Sequence, residues 1–379
     1  MADRTKTNRS AAKDDSLAAN AIVAVTRAKK NHKNRPSTNR TFVDSVVFRV
    51  PYTGELPSSK VMVTSAEGEI KWTGQNRVEV ETHWGVTNHI VSTLKGTTLL
   101  VKTCLPKARF GHNCAGLTNL KHAVKGVIED LSTRLRSQLD APGIPEVRPG
   151  EVEMLRVDLV RHLRFGTEVQ ASAIVDEIAH RCQNRGLLLL AQMQGETVTA
   201  TGNRRAGAVS FYLKSREMRR HPTARRSPDF EEVLAAIEGW VRVEIRVTAA
   251  TLKRESLSTA KDWNATTGDE LFDRLFKGFE FLDLIPVPPS ADDLPDNLPA
   301  HLSRALALVS AGMDLNRIFS TKHARNLKAL AAKHGLDLRS TRLPSTPHRP
   351  VVTADRWVTD VPRKVASIRG FSEQFCEES

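Results

Sequence analysis

Three segments of the chain alternate residue by residue between apolar and reactive side chains. In Val241-Arg-Val-Glu-Ile-Arg-Val247 the valines and Ile245 alternate with Arg242, Glu244 and Arg246. In Leu155-Arg-Val-Asp-Leu159 the apolar residues alternate with Arg156 and Asp158, and in Val209-Ser-Phe-Tyr-Leu-Lys214 one face carries Ser210, Tyr212 and Lys214. Successive side chains of a strand point to opposite faces, so each segment is predicted as a strand with one apolar face and one face of chemistry. Joined in one sheet, they would turn a carboxylate pair, a tyrosine, a lysine and three arginines towards a common cleft. Half-solvated strands with charges paired in cross-strand ladders give the same periodicity, and periodicity does not separate the two readings.

Order is expected to begin near Phe42, where Val43-Asp-Ser-Val-Val-Phe-Arg-Val50 is rich in β-formers and stops at Pro51. Further strand-like runs at Lys60–Val63, Val78–Glu81 and Thr98–Thr103 make this part mainly β. From Leu120, apolar residues at Val124, Val127, Ile128, Leu131, Leu135 and Leu139 have helical spacing. A second helix is predicted after Thr167, an N-cap, with Val169, Ile174, Ile178 and Cys182 inward and Gly186 ending it. A third is predicted to open at Ser227-Pro228.

Strands at Met154–Leu163, Leu187–Met193, Ala208–Lys214 and Val241–Val247 interleave with these helices, which implies a sheet covered by helices in an α+β or α/β layer domain. Five prolines and three acids between Pro286 and Pro299 read as a linker. Beyond it, Leu302–Ser310 and Lys322–His334 read as two helices, the second ended by Gly335. The predicted organisation is a basic arm (1–40), a core (41–285), a linker (286–299), a helical DNA-binding or accessory region (300–343) and a polar tail (344–379).

Charge narrows the partners. A formal net charge of +13 and pI near 9.8 favour a nucleic acid or an anionic membrane, and no basic amphipathic helix with a bulky apolar face supports the membrane. No apolar run approaches the roughly 20 residues that span a bilayer, and the charged start lacks the apolar block of a secretory signal. A soluble protein of the cell interior is expected. Residues 1–40 carry ten Lys or Arg against three Asp, which suits a disordered arm adding salt-sensitive DNA affinity, or a solvated tail without a partner. The four cysteines show no Cys-x-x-Cys spacing and are expected to be reduced.

Between Gly202 and Arg226 there are eight Lys or Arg against one acid, Glu217, and this stretch holds Tyr212, one of only two tyrosines. A tyrosine is about one part in a thousand ionised at pH 7, so its use as a nucleophile needs about 4 kcal/mol of activation. Lys214 could stabilise phenolate, and a divalent metal would offset phosphate charge and orient in-line attack. Two carboxylates suit Mg²⁺ or Mn²⁺, and an added imidazole would favour Mn²⁺. Gly111-His-Asn113, after Lys102 and Pro106-Lys107, is the remaining polar cluster, with His112 read as either structural or a ligand. Trp72, Trp84, Trp240 and Trp263 are candidates for core packing or for stacking on unpaired bases.

In order along the chain, Val43-Asp-Ser-Val-Val-Phe-Arg-Val-Pro51, Lys102 through Pro106-Lys107 to Gly111-His-Asn113, Arg156-Val-Asp158, Tyr212-Leu-Lys214 with Glu217, and Arg242-Val-Glu244-Ile-Arg246 resemble the replication initiator of filamentous phages, the gene two protein family. The C-terminal Ala311-Gly312 and His334-Gly335-Leu336 also fit, so the likeness spans about residues 42–340. The resemblance implies an α+β fold with a central, mainly antiparallel sheet flanked by helices. It also implies nicking of one strand of origin DNA through a covalent tyrosine, followed by rejoining of the displaced strand into a circle. By that resemblance Tyr212 is the nucleophile with Lys214 beside it. Asp158 and Glu244 are metal ligands, His112 and Glu217 further candidates for the same Mg²⁺ or Mn²⁺, and Arg156, Arg242, Arg246, Lys107, Asn113 and Arg216 DNA contacts. The implied partners are double-stranded origin DNA, displaced single-stranded DNA and a host helicase, polymerase and single-strand binding protein, in the bacterial cytoplasm, with a homodimer on DNA possible.

The order also resembles plasmid rolling-circle initiators that rely on carboxylates, in which case His112 would contact DNA instead. Nucleases with a His-hydrophobic-His pair differ, because no such triplet occurs here. A non-catalytic DNA-binding regulator is the alternative function. A conjugative relaxase is disfavoured, since the chain lacks a histidine triad and a helicase domain.

Overall fold

The computed structural model describes residues 41–57, 62–64, 70–73, 77–94, 97–191, 196–201, 207–226, 229–288, 294–341, 350–353 and 356–358. The predicted arm, most of the tail, Ser227-Pro228 and the side chain of Trp72 lie outside them. The central element is an antiparallel sheet of nine strands. Along the chain they are β1 (Phe42–Pro51), β4 (Arg77–Glu81), β5 (Asn88–Leu94), β6 (Thr98–Cys104), β7 (Glu153–Arg164), β8 (Leu188–Ala191), β9 (Thr197–Thr201), β10 (Ala208–Leu213) and β11 (Trp240–Thr248). The spatial order is β4-β5-β6-β1-β7-β11-β10-β9-β8. A separate ribbon pairs β2 (Met62–Thr64) with β3 (Ile70–Thr73). The α+β class with flanking helices is thus as expected. The three alternating segments are neighbours, β7-β11-β10, at the centre of the sheet.

One face of these strands is the core. Val157, Leu159, Val209, Phe211, Val243 and Ile245 are fully buried in one cluster with residues of the flanking helices. Helix α1 (Leu105–Phe110) follows β6 directly, and α2 (Leu120–Leu139) buries Leu120, Val124, Val127, Ile128, Leu131 and Leu135, the predicted stripe. Helix α3 (Glu168–Asn184) is capped by Thr167, whose hydroxyl accepts from the Gln170 N–H, and the chain turns away through Gly186 at φ +65°. Its inward stripe includes Ile174, Ile178 and Cys182, but Val169 is 78% exposed. At 3.6 residues per turn Val169 lies roughly 140° around the helix from Ile174, off the buried stripe, and this corrects the inward assignment.

Helices α4 (Lys214–Arg220) and α5 (Phe230–Ala236) form a smaller cluster, Met218, Val233 and Ile237 with Cys114 and Trp240, at one end of the sheet. Lys214 therefore starts a helix rather than ending a strand, and the third predicted helix has Asp229 at its cap position. After α6 (Ala249–Arg254), helix α7 (Thr267–Phe276) adds Leu271, Phe272 and Leu275 to the main core.

The C-terminal unit has its own apolar cluster. It comprises α8 (Ala300–Ser310), α9 (Leu315–Ile318) and α10 (Thr321–Lys333), with β12 (Ile285–Val287) paired in parallel to β13 (Leu336–Thr341). The start of the expected linker is thus a strand. Arg181 of α3, with no solvent exposure, clamps this junction. It donates to Glu177 at 2.6 Å and to the carbonyls of Leu282 and Leu284 at 3.0 and 2.6 Å. Arg185 pairs with buried Asp337 of β13 at 2.9 Å. Removing one member of a buried ion pair strands the other and typically costs about 3–5 kcal/mol. Arg181→Ala is expected to lose about that much in equilibrium denaturation, and Arg181→Met with Glu177→Leu to recover most of it. Equal loss in both would show that the charge pairing is not what the site depends on.

Candidate active site

The second face of β7, β11 and β10 carries the predicted polar residues in cross-strand rows. Tyr212 lies opposite Arg242, which lies opposite His162; Ser210 lies opposite Glu244; Arg246 lies opposite Asp158. Antiparallel register explains the meeting, because side chains directly opposite or on the diagonal come within reach. The Tyr212 hydroxyl donates to Glu244 Oε2 at 3.1 Å, and the Arg242 guanidinium lies 5.9 Å from the centre of the tyrosine ring. Arg242 also approaches Glu244 at 3.6 Å.

Arg242 is held from below by a residue that sequence reasoning missed. Between Val43 and Val46, β1 has one residue more than β7, and this bulge contains Asp44 and Ser45. A bulge re-aims side chains, and Asp44 meets Arg242 Nη2 at 2.7 Å across the intervening strand β7. Asn113 Nδ2 donates to Asp44 at 3.0 Å, while Arg242 Nη1 donates to the Asn113 carbonyl at 2.6 Å. Asn113 is delivered by Gly111, which ends α1 at φ +79°, a conformation that favours glycine. The only local signal for Asp44 was an acid inside a run of β-formers.

Lys214 is fully buried, with Nζ donating to Asn113 Oδ1 at 2.6 Å and paired with Glu217, which also faces His221 at 3.3 Å. His112 is buried beside this lysine and stacks on Phe110 with centroids 6.2 Å apart. His112 and Glu217 therefore gather around Lys214, whereas Asp158 and Glu244 lie on the sheet face. Arg156 Nε donates to both oxygens of Asp158 at 2.8 and 3.1 Å, and the half-exposed Arg246 approaches it at 3.7 Å. Arg216 is turned to Glu168 at 2.9 Å, and against the effect of burial the carboxyl of Glu217 is lowered by Lys214 and, after it, by Lys107 on α1. Of the predicted DNA contacts, Arg242 and Asn113 are buried in this framework, while Arg246 is 52% exposed. Trp240 and Trp263 are core residues, and Trp84 Nε1 donates to the Arg109 carbonyl. Tyr52 is buried, its hydroxyl donating to Pro142 O at 3.0 Å.

The electrostatics follow from burial first. Burial opposes ionisation of Asp44, but Arg242, Lys214 and the Asn113 hydrogen bond hold its carboxyl well below the usual range. Burial raises Tyr212 well above 10, with Arg242 working against the rise and Glu244, Glu217 and Asp44 adding to it. Burial also raises Glu244; Arg242 and the Tyr212 hydrogen bond oppose this, and the charges of Asp44 and Asp158 reinforce it. Asp158 and Glu244 are hard oxygen donors whose mutual repulsion a divalent cation would relieve, so their chemistry fits Mg²⁺ or Mn²⁺. Among the described residues no three His, Cys, Asp or Glu side chains converge in a ready-made metal cluster, and Asp158 is engaged by Arg156.

A tyrosine, two acids and several arginines on one face of an antiparallel sheet form an arrangement suited to holding phosphate esters. The family model for the N-terminal region of the gene two replication-associated protein matches residues 42–266, which is more than half of the chain and includes all nine strands of the sheet. The chain belongs to this family of phage replication-associated proteins, and its role is in the initiation of rolling-circle replication. No curated protein gives a significant match. Among the described residues no helix is long and apolar enough to cross a membrane.

His162, also missed, lies between the rings of Phe42 and Trp240 at 5.5 and 5.0 Å. Burial, aided by Arg242 and Lys214 and opposed by Asp44, pushes it well below 6.5. The unfolded imidazole takes up a proton as pH falls through 6.5 while the folded one stays neutral. Its contribution to stability is therefore complete above that pH and declines below it, by about 1.4 kcal/mol per pH unit. His112, held at about 4 by burial and Lys214, acts in the same direction. Denaturant titrations at pH 7.5 and 5.5 are expected to show a smaller loss in His162→Phe than in the parent; an unchanged loss would remove His162 as its source.

Proposed function

We propose that the protein is a metal-dependent DNA nickase and strand transferase that opens the replication origin through a covalent tyrosine phosphate. The observation that carries this reading is the hydrogen bond from the Tyr212 hydroxyl to Glu244 on the polar sheet face, with Arg242 beside both. Tyr212 Oη attacks the scissile phosphorus, and its proton passes to Glu244, a base strengthened by its raised pKa. The bond to the 3′ oxygen breaks, that oxygen leaves as a 3′ hydroxyl after protonation, and the phosphate remains on Tyr212. The reverse attack by a 3′ hydroxyl rejoins the strand and returns the phenol, with no net redox change.

Arg242, fixed by Asp44 and Asn113, holds positive charge near the phenolic oxygen as it becomes anionic. Arg246 and Arg156, the more accessible cations, would steady the flanking phosphates. Asp158 and Glu244 would hold Mg²⁺ or Mn²⁺, which when bound neutralises charge on the scissile phosphate. Lys214 has a supporting part in this scheme, since its ammonium is committed to Asn113 and Glu217.

Origin DNA and its displaced strand are the proposed substrates, acted on in the host cytoplasm beside host helicase, polymerase and single-strand binding protein. Supercoiled DNA carrying the origin should be nicked with Mg²⁺ and left intact with EDTA. Tyr212→Phe should abolish nicking with duplex binding within about twofold of the parent, and Glu244→Gln should slow nicking by about 10²–10⁴. Nicking retained by Tyr212→Phe would remove the nucleophile assignment; chelator-insensitive binding with no nicking in any metal would favour a DNA-binding regulator.

A further inference from the structure

The family match ends at residue 266 and leaves the C-terminal unit without a role. Between residues 300 and 334 there are six Lys or Arg and a single acid, Asp314. Helix α10 contains no acid. Ala324, Leu327 and Ala331 form its buried stripe, while Lys322, Arg325 and Lys333 are exposed and Lys328 is half-buried. Among the described residues none of these four cations forms an ion pair, although Lys328 donates to Asn316 Oδ1 at 3.4 Å.

The same helix walls a groove of about 470 Å³ that also takes in Arg185, Lys277 and Arg339. Its acids are Glu280 and Asp337, and Asp337 is already engaged by Arg185. A surface that keeps this much unneutralised charge is matched to a polyanion. The outward residues of α10 include no Phe, Tyr or Trp on which an unpaired base could stack, and its one exposed ring, His323, packs against Phe319 with centroids 4.9 Å apart. A helix about 10–12 Å across does fit the roughly 12 Å major groove of a duplex. Arg185 of α3 pairs with Asp337 of β13 at 2.9 Å, and α3 also packs against β10, so the unit that carries α10 is tied to the same helix as the strand that carries Tyr212.

We infer that α10 is a duplex-binding helix, its outward cations seated on the phosphates of double-stranded DNA away from the nick. The inference rests on the DNA-directed role of the protein but not on its tyrosine chemistry. Fluorescence anisotropy of the full chain in EDTA, over a range of salt, would use a duplex of about 30 base pairs and one of its single strands. Lys322→Gln/Arg325→Gln/Lys333→Gln is expected to weaken duplex binding at least about tenfold near 0.15 M salt and to lower the salt slope by up to about 3. Single-strand affinity should change less than about twofold, and Lys322→Arg/Lys333→Arg should bind the duplex like the parent. Unchanged duplex affinity and slope, equal loss on the single strand, or loss in the charge-conserving variant would overturn the assignment. Binding is read without metal or cleavage, so a failure of nicking by Tyr212 would leave this result standing.

Discussion

A guanidinium with no access to solvent, Arg242, and the carboxylate that neutralises it, Asp44, belong to strands that are not neighbours. The pair reaches across β7 and is completed by Asn113 through both its side chain and its carbonyl. Taking two charges out of water is unfavourable by several kcal/mol per ion, and only close geometry with additional hydrogen bonds offsets it. The bulge in β1, the turn at Gly111 and the start of α4 at Lys214 all serve that geometry. Position, rather than stability alone, is what such an arrangement provides.

Its consequence is a polar face of two depths. The lower layer, Asp44, Arg242, Asn113 and Lys214, is buried and committed to internal partners. The upper layer, Tyr212, Glu244, Arg156 and Arg246, is partly open. In the proposed reaction, a phenol with a strongly raised pKa would be a poor nucleophile at rest, and a carboxylate that is itself raised by burial and neighbouring acids would narrow the mismatch between proton donor and acceptor. The fixed cation beside them would then favour the charge that this reaction develops on the phenolic oxygen.

Much of this was legible in local pattern. Period-two alternation assigned β7, β10 and β11 and identified which side chains share a face, because the pleat alone dictates that. Alternation carries no information about depth. Arg242 and Arg246 occupy equivalent positions in the pattern, yet one is fully buried and the other half exposed, since residues near Asn113 and the α4–α5 cluster cover only one end of the sheet. Asp44 was invisible as a site residue because its role depends on a bulge and on a partner almost 200 residues away. The strands β9 and β13, rich in Thr or carrying a buried Asp337, lack the apolar signal that exposes a strand to sequence reading. The family likeness supplied the order of the motifs, and the register supplied their contacts.

Only two tyrosines exist in the chain, and they are in opposite situations: Tyr52 is sealed in the core against Pro142, and Tyr212 stands on the polar face against Glu244. The most direct measurement is to react the protein with radiolabelled origin DNA and Mg²⁺, digest with nuclease and protease, and locate the DNA-linked peptide by mass spectrometry. A phosphotyrosyl adduct on the peptide that carries Tyr212 is the expected result. An adduct at Tyr52 or at any other residue, or cleavage with no covalent intermediate, would contradict the nucleophile assignment.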